Sequence, residues 1–466
     1  MEKQECSALK VVMIPWLAMG HLIPFLELSK CLAEKGINVI FITTPKNIKR
    51  LPKLPANLSS YINMISMPLP HKDHVPDDAE SSMDVPSTMQ PLLKSRFDLL
   101  EDPITTFLEE VRPDWILYDF TSYWIPPLAA KIGSSCAYVA LFNAATLSFM
   151  GPPTVLLGNT RSSSEDYTVT PNWVPFESNI AYHLHEVMKF MHSVDANIAT
   201  PDTIRFGYSI ARSDVVVIRT SPEFEPKWLK LLGELYGKTI LPIGFLFPND
   251  VVEDVGLDSG VTLLKKWLDQ QKSSSVLYVA LGSESSLSQE ELEELAFGLE
   301  LSGLPFVLVL RNQPMLSKNV LEMLPQGFKD RVSDRGLVHI GWAPQLDILS
   351  HPSIRGFLTH CGWNSVIEGL GLGHVLVLLP MMNDQGLIAR LLVEKGLGVE
   401  IARDEQGGFF RREVVAKVVR MAMVEEEGEA LRIKCRSMKG VFGDKNLNGQ
   451  YIQGFIHYME ETRNST

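Results

Sequence analysis

The chain has 466 residues, of which 45% are hydrophobic and 21% are charged, a composition typical of a globular protein. Its 43 Lys and Arg residues against 55 Asp and Glu residues give a formal net charge of −12. An acidic chain without a basic block argues against nucleic acid or an anionic membrane surface as the main partner. The length predicts two domains of about 200 residues each.

Neither the cysteines nor the N-terminal region indicate secretion. The five Cys residues are scattered and form no CxxC pair, so we predict free thiols in a reducing compartment. The first long apolar run, VVMIPWLAMGHLIPFL, is interrupted by Pro15, Gly20 and His21, which argues against a signal peptide and a membrane span. We therefore expect a cytoplasmic protein.

Short apolar runs alternate with amphipathic helical patterns along most of the chain. The predicted strands of the first half are LKVVMI, NVIFIT, DWILYD, CAYVAL, DVVVIR and TILPIG. Those of the second half are SVLYVAL, FVLVL, LVHIGW, GFLTH, HVLVLLP and GVEIA. Most are continuously apolar, as in strands that a parallel sheet buries on both faces. The alternation predicts an α/β protein with two Rossmann-like, doubly wound domains facing a cleft at the strand C-termini.

The alternation is interrupted once, by the polar and acidic stretch LFPNDVVEDVGLDSG. We predict an N-terminal domain at 1–245, a linker at 246–260 and a C-terminal domain at 261–440. The remainder, 441–466, is predicted to form a C-terminal helix that packs back on the N-terminal domain.

The helix in SLSQEELEELAFGLE has a clear start. Ser288 as N-cap and Glu291 three residues later form a capping box. Leu292, Leu295, Ala296 and Leu299 then form the stripe that the helix is expected to bury.

Two polar residues follow predicted strands of the first domain. His21 lies at the strand-to-helix corner of PWLAMGHLIPFLELS, and Asp119 ends the strand DWILYD. A lone histidine on an apolar segment is more often structural, but the position before the first helix favours a functional role. Histidine, with a usual pKa of about 6.5, suits general-base catalysis. Asp119 could bond the far ring nitrogen, fix the tautomer and stabilise the imidazolium.

Two other histidine-containing segments offer rival sites. HKDHVPDD, at 71–78, has a metal-like composition, but it is a Pro-bearing loop without the closed spacing of a structural metal site, so no metal is predicted. HLHEVMKFMH places His183, His185 and His192 on a predicted helix. That helix either lines the acceptor side or is an ordinary amphipathic helix, and the second interpretation is favoured.

The segment GFLTHCGWNSVIEGLG, at 356–371, combines a buried strand with a polar helix start. Gly362 allows a tight turn and a close approach of the backbone to a ligand. Asn364 and Ser365 begin a helix, whose N-terminus attracts anions, and His360 adds a donor at the strand tip. Glu368 lies one turn further on and suits the paired hydroxyls of a ribose. The combination indicates a nucleotide site, although each residue alone is ordinary.

Flanking segments extend this site. Trp342 follows a strand and offers a flat face to a base, and the amide of Gln345 can reach a sugar hydroxyl. Asp384 and Gln385 follow the strand HVLVLLP and can bond the hydroxyls of a hexose. The glycines of GLGLG follow the helix instead of opening it, so they are not a dinucleotide fingerprint.

The pattern WAPQ…HP…GFLTHCGWNS…E…P…DQ, at 342–385, closely resembles the 44-residue signature box of plant secondary-product UDP-glycosyltransferases. PWLAMGHLIPFLELSKCLA and DWILYDF resemble the N-terminal region of the same family, so the likeness covers the whole chain. The resemblance implies a GT-B fold with the nucleotide sugar held mainly by the C-terminal domain. The segments PWLAMGHLIPFLELS, ALGSE and VIEGLG are similar to the family branch rich in enzymes that extend a sugar already on an aglycone.

The resemblance also implies roles for individual residues. Trp342 would stack on uracil, the Ala343 backbone would pair with its edge, and Gln345 with Glu368 would hold the ribose. The residues implied for the diphosphate are Ser283, His360, Asn364 and Ser365. Those implied for the sugar are Trp363, Asp384 and Gln385.

The catalytic dyad of the family maps onto His21 and Asp119. His21 would deprotonate an acceptor hydroxyl, which would displace UDP without a metal and invert the anomeric centre. Gln385 is the usual family mark of UDP-glucose, but NDQ replaces the common Ala-Glu-Gln, and GLGLG stands where many members carry a Trp. Rhamnose, xylose and galactose therefore stay open as donor sugars.

The acceptor is expected to be a hydroxylated flavonoid or terpenoid, or its glycoside, and the protein a monomer. Aromatic and apolar residues after strand ends are candidates for the acceptor pocket or for core packing: Trp16, Phe120, Tyr123, Trp124, Phe142 and Met150. A UDP-sugar epimerase or a non-catalytic nucleotide-sugar binder could keep the C-terminal box, but neither requires His21 with Asp119. A nicotinamide dehydrogenase would need GxGxxG opening a helix, which neither half has.

Overall fold

The chain forms two compact units. The computed structural model describes residues 9–158, 160–161, 163–191, 200–248, 259–282, 284, 287–311, 320–405 and 407–465. The first unit comprises 1–162, 193–246 and 445–466, and the second comprises 163–192 and 247–444. The chain thus enters the second unit for a short segment, 163–192, before it returns to complete the first.

The described residues form one sheet in each unit. The first sheet contains β1 Lys10–Ile14, β2 Asn38–Thr43, β3 Ile62–Ser66, β4 Trp115–Tyr118, β5 Ser135–Ala140, β6 Val215–Ile218 and β7 Ile240–Pro242. The second contains β8 Val276–Ala280, β9 Phe306–Leu310, β10 Gly336–Ile340, β11 Ile354–Thr359, β12 Val375–Leu378 and β13 Gly398–Glu400. Every strand pair in both sheets is parallel.

Helices connect the strands, as parallel pairing requires. The helices up to β6 are α1 Met19–Ala33, α2 Pro45–Arg50, α3 Gln90–Phe97, α4 Glu101–Val111, α5 Ile125–Ile132, α6 Ala144–Met150, α7 Pro153–Gly158, α8 Leu184–Met191 and α9 Asp202–Arg212. Those after it are α10 Pro226–Tyr236, α11 Ser259–Asp269, α12 Gln289–Ser302, α13 Phe328–Arg331, α14 Gln345–Leu349, α15 Trp363–Gly371, α16 Gln385–Glu394, α17 Arg412–Met423, α18 Glu429–Ser437, α19 Lys439–Phe442 and α20 Lys445–Ser465.

The strand order of the first sheet is β3-β2-β1-β4-β5-β6-β7. The order reverses between β1 and β4, which pair directly from Val11 with Trp115 to Ile14 with Tyr118. Ligands of open α/β sheets bind outside the strand C-termini at such a reversal. The residues that follow these two strands therefore lie at the expected position of a binding site.

The second sheet repeats this arrangement in the order β10-β9-β8-β11-β12-β13. Here the reversal lies between β8 and β11, which pair from Ile354 with Val276 to Thr359 with Ala280. The turn after β8 and the corner after β11 are consequently neighbours at one sheet edge.

The C-terminal helix α20 completes the core of the first unit. Ile452, Phe455 and Met459 are buried in the same hydrophobic cluster as β1. The indole N–H of Trp115 in β4 donates to the carbonyl oxygen of Met459 at 3.1 Å. These contacts fix the end of the chain on the unit in which it began.

Most sequence predictions of local structure are confirmed. All twelve predicted strands are present, and the capping box of Ser288 and Glu291 forms at the start of α12 with the predicted stripe buried. The strand missed by sequence analysis is β3, whose sequence INMIS is half-exposed and not continuously apolar. Four of the five Cys residues lie in the described part of the chain and are free thiols.

Two predictions concern regions that the structure describes only in part. Of the predicted linker, 249–258 lies outside the described residues. No helix in the described part of the chain is both long and apolar enough to cross a membrane.

Candidate active site

His21 and Asp119 lie together at the reversal of the first sheet. The Nδ1 atom of His21, in the first turn of α1, is 2.6 Å from Oδ2 of Asp119, which follows β4. The Asp119 side chain is fully buried, whereas that of His21 is 18% exposed. The sequence prediction that the two side chains can bond each other is confirmed.

The surrounding backbone fixes the carboxylate. Oδ2 of Asp119 also accepts the N–H of Trp16 at 3.1 Å, and Oδ1 accepts the N–H of Phe120 at 2.7 Å. Because a carboxylate oxygen accepts hydrogen bonds, this contact assigns the proton of the His21 ring to Nδ1. Nε2 then carries the lone pair, which is the arrangement that a general base needs.

Aromatic rings surround the His21 imidazole. Its ring centroid lies 5.9 Å from that of Phe120 and 6.0 Å from that of Phe142. Phe120 in turn stacks on Phe206 of α9, with centroids 4.4 Å apart and planes 5° apart. Phe206 could not be identified from the sequence, because in an amphipathic helix it has the pattern of an ordinary core residue.

The predicted acceptor residues separate into two groups. Trp16, Phe120 and Trp124 are buried, whereas Tyr123, Phe142 and Met150 are partly exposed. Trp16 packs edge-on against Phe97 and Tyr123 stacks on Tyr208, so both also serve core packing. Of the six, Phe120 and Phe142 are the ones whose rings lie close to His21.

The second unit forms the predicted corner after β11. Cys361 adopts a left-handed backbone conformation with φ of 69°, which is unusual for a residue other than glycine and is often found at functional sites. Gly362 then caps α15, and Asn364 and Ser365 lie in its first turn. The N-terminus of this helix and its dipole favour an anion here.

The His360 ring is enclosed by two glycines. A Cβ on Gly282, after β8, would lie 2.7 Å from the ring, and one on Gly362 would lie 2.4 Å from Nε2. Burial lowers the pKa of His360 to about 4, so the imidazole is neutral near pH 7 and has one N–H group to donate. Its Nδ1 atom is buried and has no hydrogen-bond partner among the described residues.

Replacing Gly362 with alanine is expected to weaken UDP binding about tenfold or more, the cost of one lost charge-assisted hydrogen bond. The added Cβ would displace the His360 ring predicted to contact the diphosphate. Isothermal titration with UDP measures the effect. Gly440→Ala is the matched control, since nothing lies within 4 Å of its Cβ position. Native affinity in Gly362→Ala would show that His360 does not contact the diphosphate.

The residues predicted for the nucleoside lie around α14 and α15. Trp342 is 56% exposed, so its ring has surface on which a base can stack, and Ala343 is buried. Nε2 of Gln345 donates to Oε2 of Glu368 at 2.7 Å and to Oγ of Ser365 at 3.1 Å. The two predicted ribose ligands therefore orient each other.

The three residues predicted for the sugar differ in their exposure and in their contacts. Oε1 of Gln385 accepts the N–H groups of Met381 and Met382 at 2.9 and 3.0 Å, which directs its amide N–H₂ group elsewhere. Asp384 precedes α16 and is partly exposed. The Trp363 ring is only 5% exposed and packs on Phe442, so most of its surface serves the core.

Three further predictions concern residues outside these groups. Ser283, predicted for the diphosphate, lies outside the described residues, although Gly282 before it is described. His183 and His185 stack with ring centroids 5.6 Å apart, but α8 and its flanks belong to the second unit and not to the unit that carries His21. His71, in the rejected metal-like loop, is exposed and bonded to Asp77 at 2.7 Å.

The two α/β units have the GT-B fold of glycosyltransferases, as comparison with known proteins shows. The family description "UDP-glucoronosyl and UDP-glucosyl transferase" matches residues 256–407, and "Glycosyltransferase, N-terminal domain" matches residues 7–189. Together they cover most of the chain, and with the relatives described next they show that it belongs to the plant UDP-glycosyltransferase family.

Individual relatives agree with this assignment. UDP-glycosyltransferase 91C1 of Arabidopsis thaliana is 50% identical, with 100% of this chain and 99% of the relative covered. Soyasaponin III rhamnosyltransferase of Glycine max is 40% identical, with 99% and 97% covered. The structure of Phytolacca americana UGT2 with UDP-2fluoro-glucose and pterostilbene is similar with a TM-score of 0.76, at 25% identity over 97% of this chain and 99% of that one.

Proposed function

We propose that the protein transfers glucose from UDP-glucose to a hydroxyl group of a small hydrophobic plant metabolite or its glycoside, with inversion at the anomeric carbon. The observation that carries this proposal is the hydrogen bond between His21 Nδ1 and the buried Asp119 carboxylate at the reversal of the first sheet. A binding protein or an epimerase would not need a base of this kind in the first unit.

The chemistry follows from the tautomer. Nε2 of His21 takes the proton of the acceptor hydroxyl while its oxygen attacks the anomeric carbon of the sugar. The bond from that carbon to the UDP oxygen breaks on the opposite face, and UDP leaves with the electron pair. Asp119 stabilises the imidazolium that forms. The first turn of α15, with Asn364 and Ser365, is proposed to stabilise the charge on the departing diphosphate.

Glucose is proposed as the donor sugar because of Asp384 and Gln385. With Oε1 of Gln385 held by two backbone N–H groups, its N–H₂ group can donate to sugar hydroxyls, and the Asp384 carboxylate can accept from others. The second candidate is rhamnose, because a relative at 40% identity is a rhamnosyltransferase. Asp384 stands where the family usually has Glu, and its shorter side chain changes which sugar hydroxyls the carboxylate can reach. The choice between glucose and rhamnose therefore depends on the assay described below.

The proposed acceptor is an aromatic or terpenoid compound. Phe120, Phe142 and Phe206 place apolar ring surface near His21, which suits a hydrophobic acceptor with one hydroxyl directed at the imidazole. A relative whose name specifies a saponin and a similar structure holding pterostilbene support this class.

Incubation with UDP-glucose should release UDP only when a suitable hydroxylated acceptor is present. A panel of flavonoids, terpenoids and their glycosides, each assayed with UDP-glucose, UDP-rhamnose, UDP-xylose and UDP-galactose, identifies both substrates. We expect the largest kcat/KM with UDP-glucose and no loss of rate in excess EDTA, since no metal is assigned a role. Tight UDP binding without acceptor-dependent release would instead indicate a nucleotide-sugar binder.

A further inference from the structure

The segment at 178–186 holds one face of α16, the helix that begins at Gln385. This segment belongs to the second unit, although it lies in the chain between two parts of the first. Its contacts follow the stripe Gly386, Arg390 and Glu394, residues four apart that share one face of a helix. The contacts at the two ends of the stripe differ in their distance from the proposed sugar site.

At the N-terminal end of α16, the Glu186 carboxylate lies against Gly386. A Cβ at position 386 would be 2.5 Å from Oε1 of Glu186, so only glycine allows this approach. Oε2 of Glu186 accepts from Nη2 of Arg390 at 2.6 Å and from the N–H of His183 at 2.7 Å. A carboxylate beside the first turn of a helix is also favoured by the helix dipole.

Arg390 links these contacts back to the start of the helix. Its Nη1 atom donates to the carbonyl oxygen of Gly386 at 2.9 Å and to Oε1 of Glu400 at 3.0 Å. Gly386 is thus held on one side by the Glu186 carboxylate and at its carbonyl by Arg390. Gln385 directly precedes Gly386, so a shift of Gly386 would move the Gln385 amide with it.

We infer that Glu186 is a positioning residue for the donor sugar, acting through Gly386 and Arg390 to hold Gln385 and Asp384 in place. The inference rests on the proposed function, because it takes these two residues as the sugar ligands. Glu186 is not proposed to contact UDP. The proposed UDP ligands lie on α14, α15 and the loops beside these helices.

The chain offers a matched control on the same helix. Glu394 accepts from Oγ of Ser178 at 2.8 Å and from the N–H of Asn179 at 3.0 Å, so it also attaches the segment to α16. Glu394 lies about 13 Å along the helix axis from Gln385, at a rise of about 1.5 Å per residue. If sugar binding required only that the segment be attached to α16, substitutions of Glu186 and Glu394 should change the Kd of UDP-glucose equally.

The test compares Glu186→Ala, Glu186→Gln and Glu394→Ala with the native enzyme, by calorimetric titration of UDP and of UDP-glucose. Glu186→Ala is expected to raise the Kd of UDP-glucose about tenfold or more. This is the effect of losing one hydrogen bond between the sugar and a charged ligand such as Asp384. The Kd of UDP should change less than twofold. Glu186→Gln, which keeps the shape, should give a smaller effect, and Glu394→Ala should leave both Kd values within twofold. The kcat/KM for UDP-glucose should follow its Kd.

Equal changes in UDP and UDP-glucose binding, no change in either, or an equal effect of Glu394→Ala would overturn the inference. If Glu186→Ala does not fold, Glu186→Gln and Arg390→Lys decide the matter by the same ratio of the two Kd values. A native enzyme that binds no UDP-sugar would overturn the proposed function and this inference with it. A native enzyme that transfers glucose while the Glu186 variants bind UDP-glucose normally would overturn the inference alone. Should transfer require another sugar, its UDP derivative replaces UDP-glucose.

Discussion

Replacing His21 with alanine is expected to lower kcat for glycosyl transfer by about 10²–10⁴, the range for loss of a general base. No other group of the first unit is assigned the acceptor proton, and the acceptor hydroxyl is a weak nucleophile while protonated. The Kd of UDP should stay within twofold of the native value, because the proposed UDP ligands lie in the second unit. Steady-state kinetics and UDP titration measure the two quantities.

His71→Ala provides a matched control for this substitution. His71 also bonds an aspartate through Nδ1, at 2.7 Å from Asp77, but its side chain is 69% exposed. We expect native kinetics for His71→Ala. If His21→Ala retained more than about a tenth of native turnover, the assignment of His21 as general base would be wrong.

Asp119→Asn is expected to lower kcat by about 10²–10⁴, close to the effect of losing the base itself. Asparagine can accept the N–H of Phe120 through its oxygen, but its N–H₂ group then occupies the position that accepts from Trp16 and His21. This arrangement favours the His21 tautomer with the proton on Nε2, which cannot take a proton from the acceptor.

The control for Asp119→Asn is Asp114→Asn, at the opposite end of β4. Asp114 also accepts a backbone N–H, that of Lys10 at 2.7 Å, but it is far from the reversal at the strand C-termini. Native kcat is expected for Asp114→Asn, with thermal unfolding recorded for both variants. A kcat for Asp119→Asn within threefold of native, in a folded protein, would show that the carboxylate does not set the tautomer of His21.

The parts of the fold that follow from local pattern could be predicted from sequence. Continuously apolar strands and the capping box at Ser288 depend on neighbouring residues alone, and both are present. β3 was not predicted because it is an edge strand, which is covered on fewer sides and has no continuously apolar run. The attachment of α8 to the second unit depends on Glu186 and Arg390, which lie far apart in the chain, and no local pattern indicates it.

One contact within the candidate site could be predicted from the sequence, whereas others could not. The bond from His21 to Asp119 followed from two strand ends that a doubly wound sheet brings together. The direct bond between Gln345 and Glu368 was not foreseen, because each was assigned to the ribose separately. The family resemblance implies that Trp363 holds the sugar, yet tertiary packing on Phe442 buries most of its side chain.

The stereochemistry of the product tests the central claim most directly. With UDP-α-glucose and an accepted hydroxyl compound, a single displacement driven by His21 should give only the β-glucoside, identified by the anomeric proton coupling in NMR. Formation of the α-glucoside, or release of glucose and UDP without need of the acceptor, would contradict direct attack by a deprotonated acceptor.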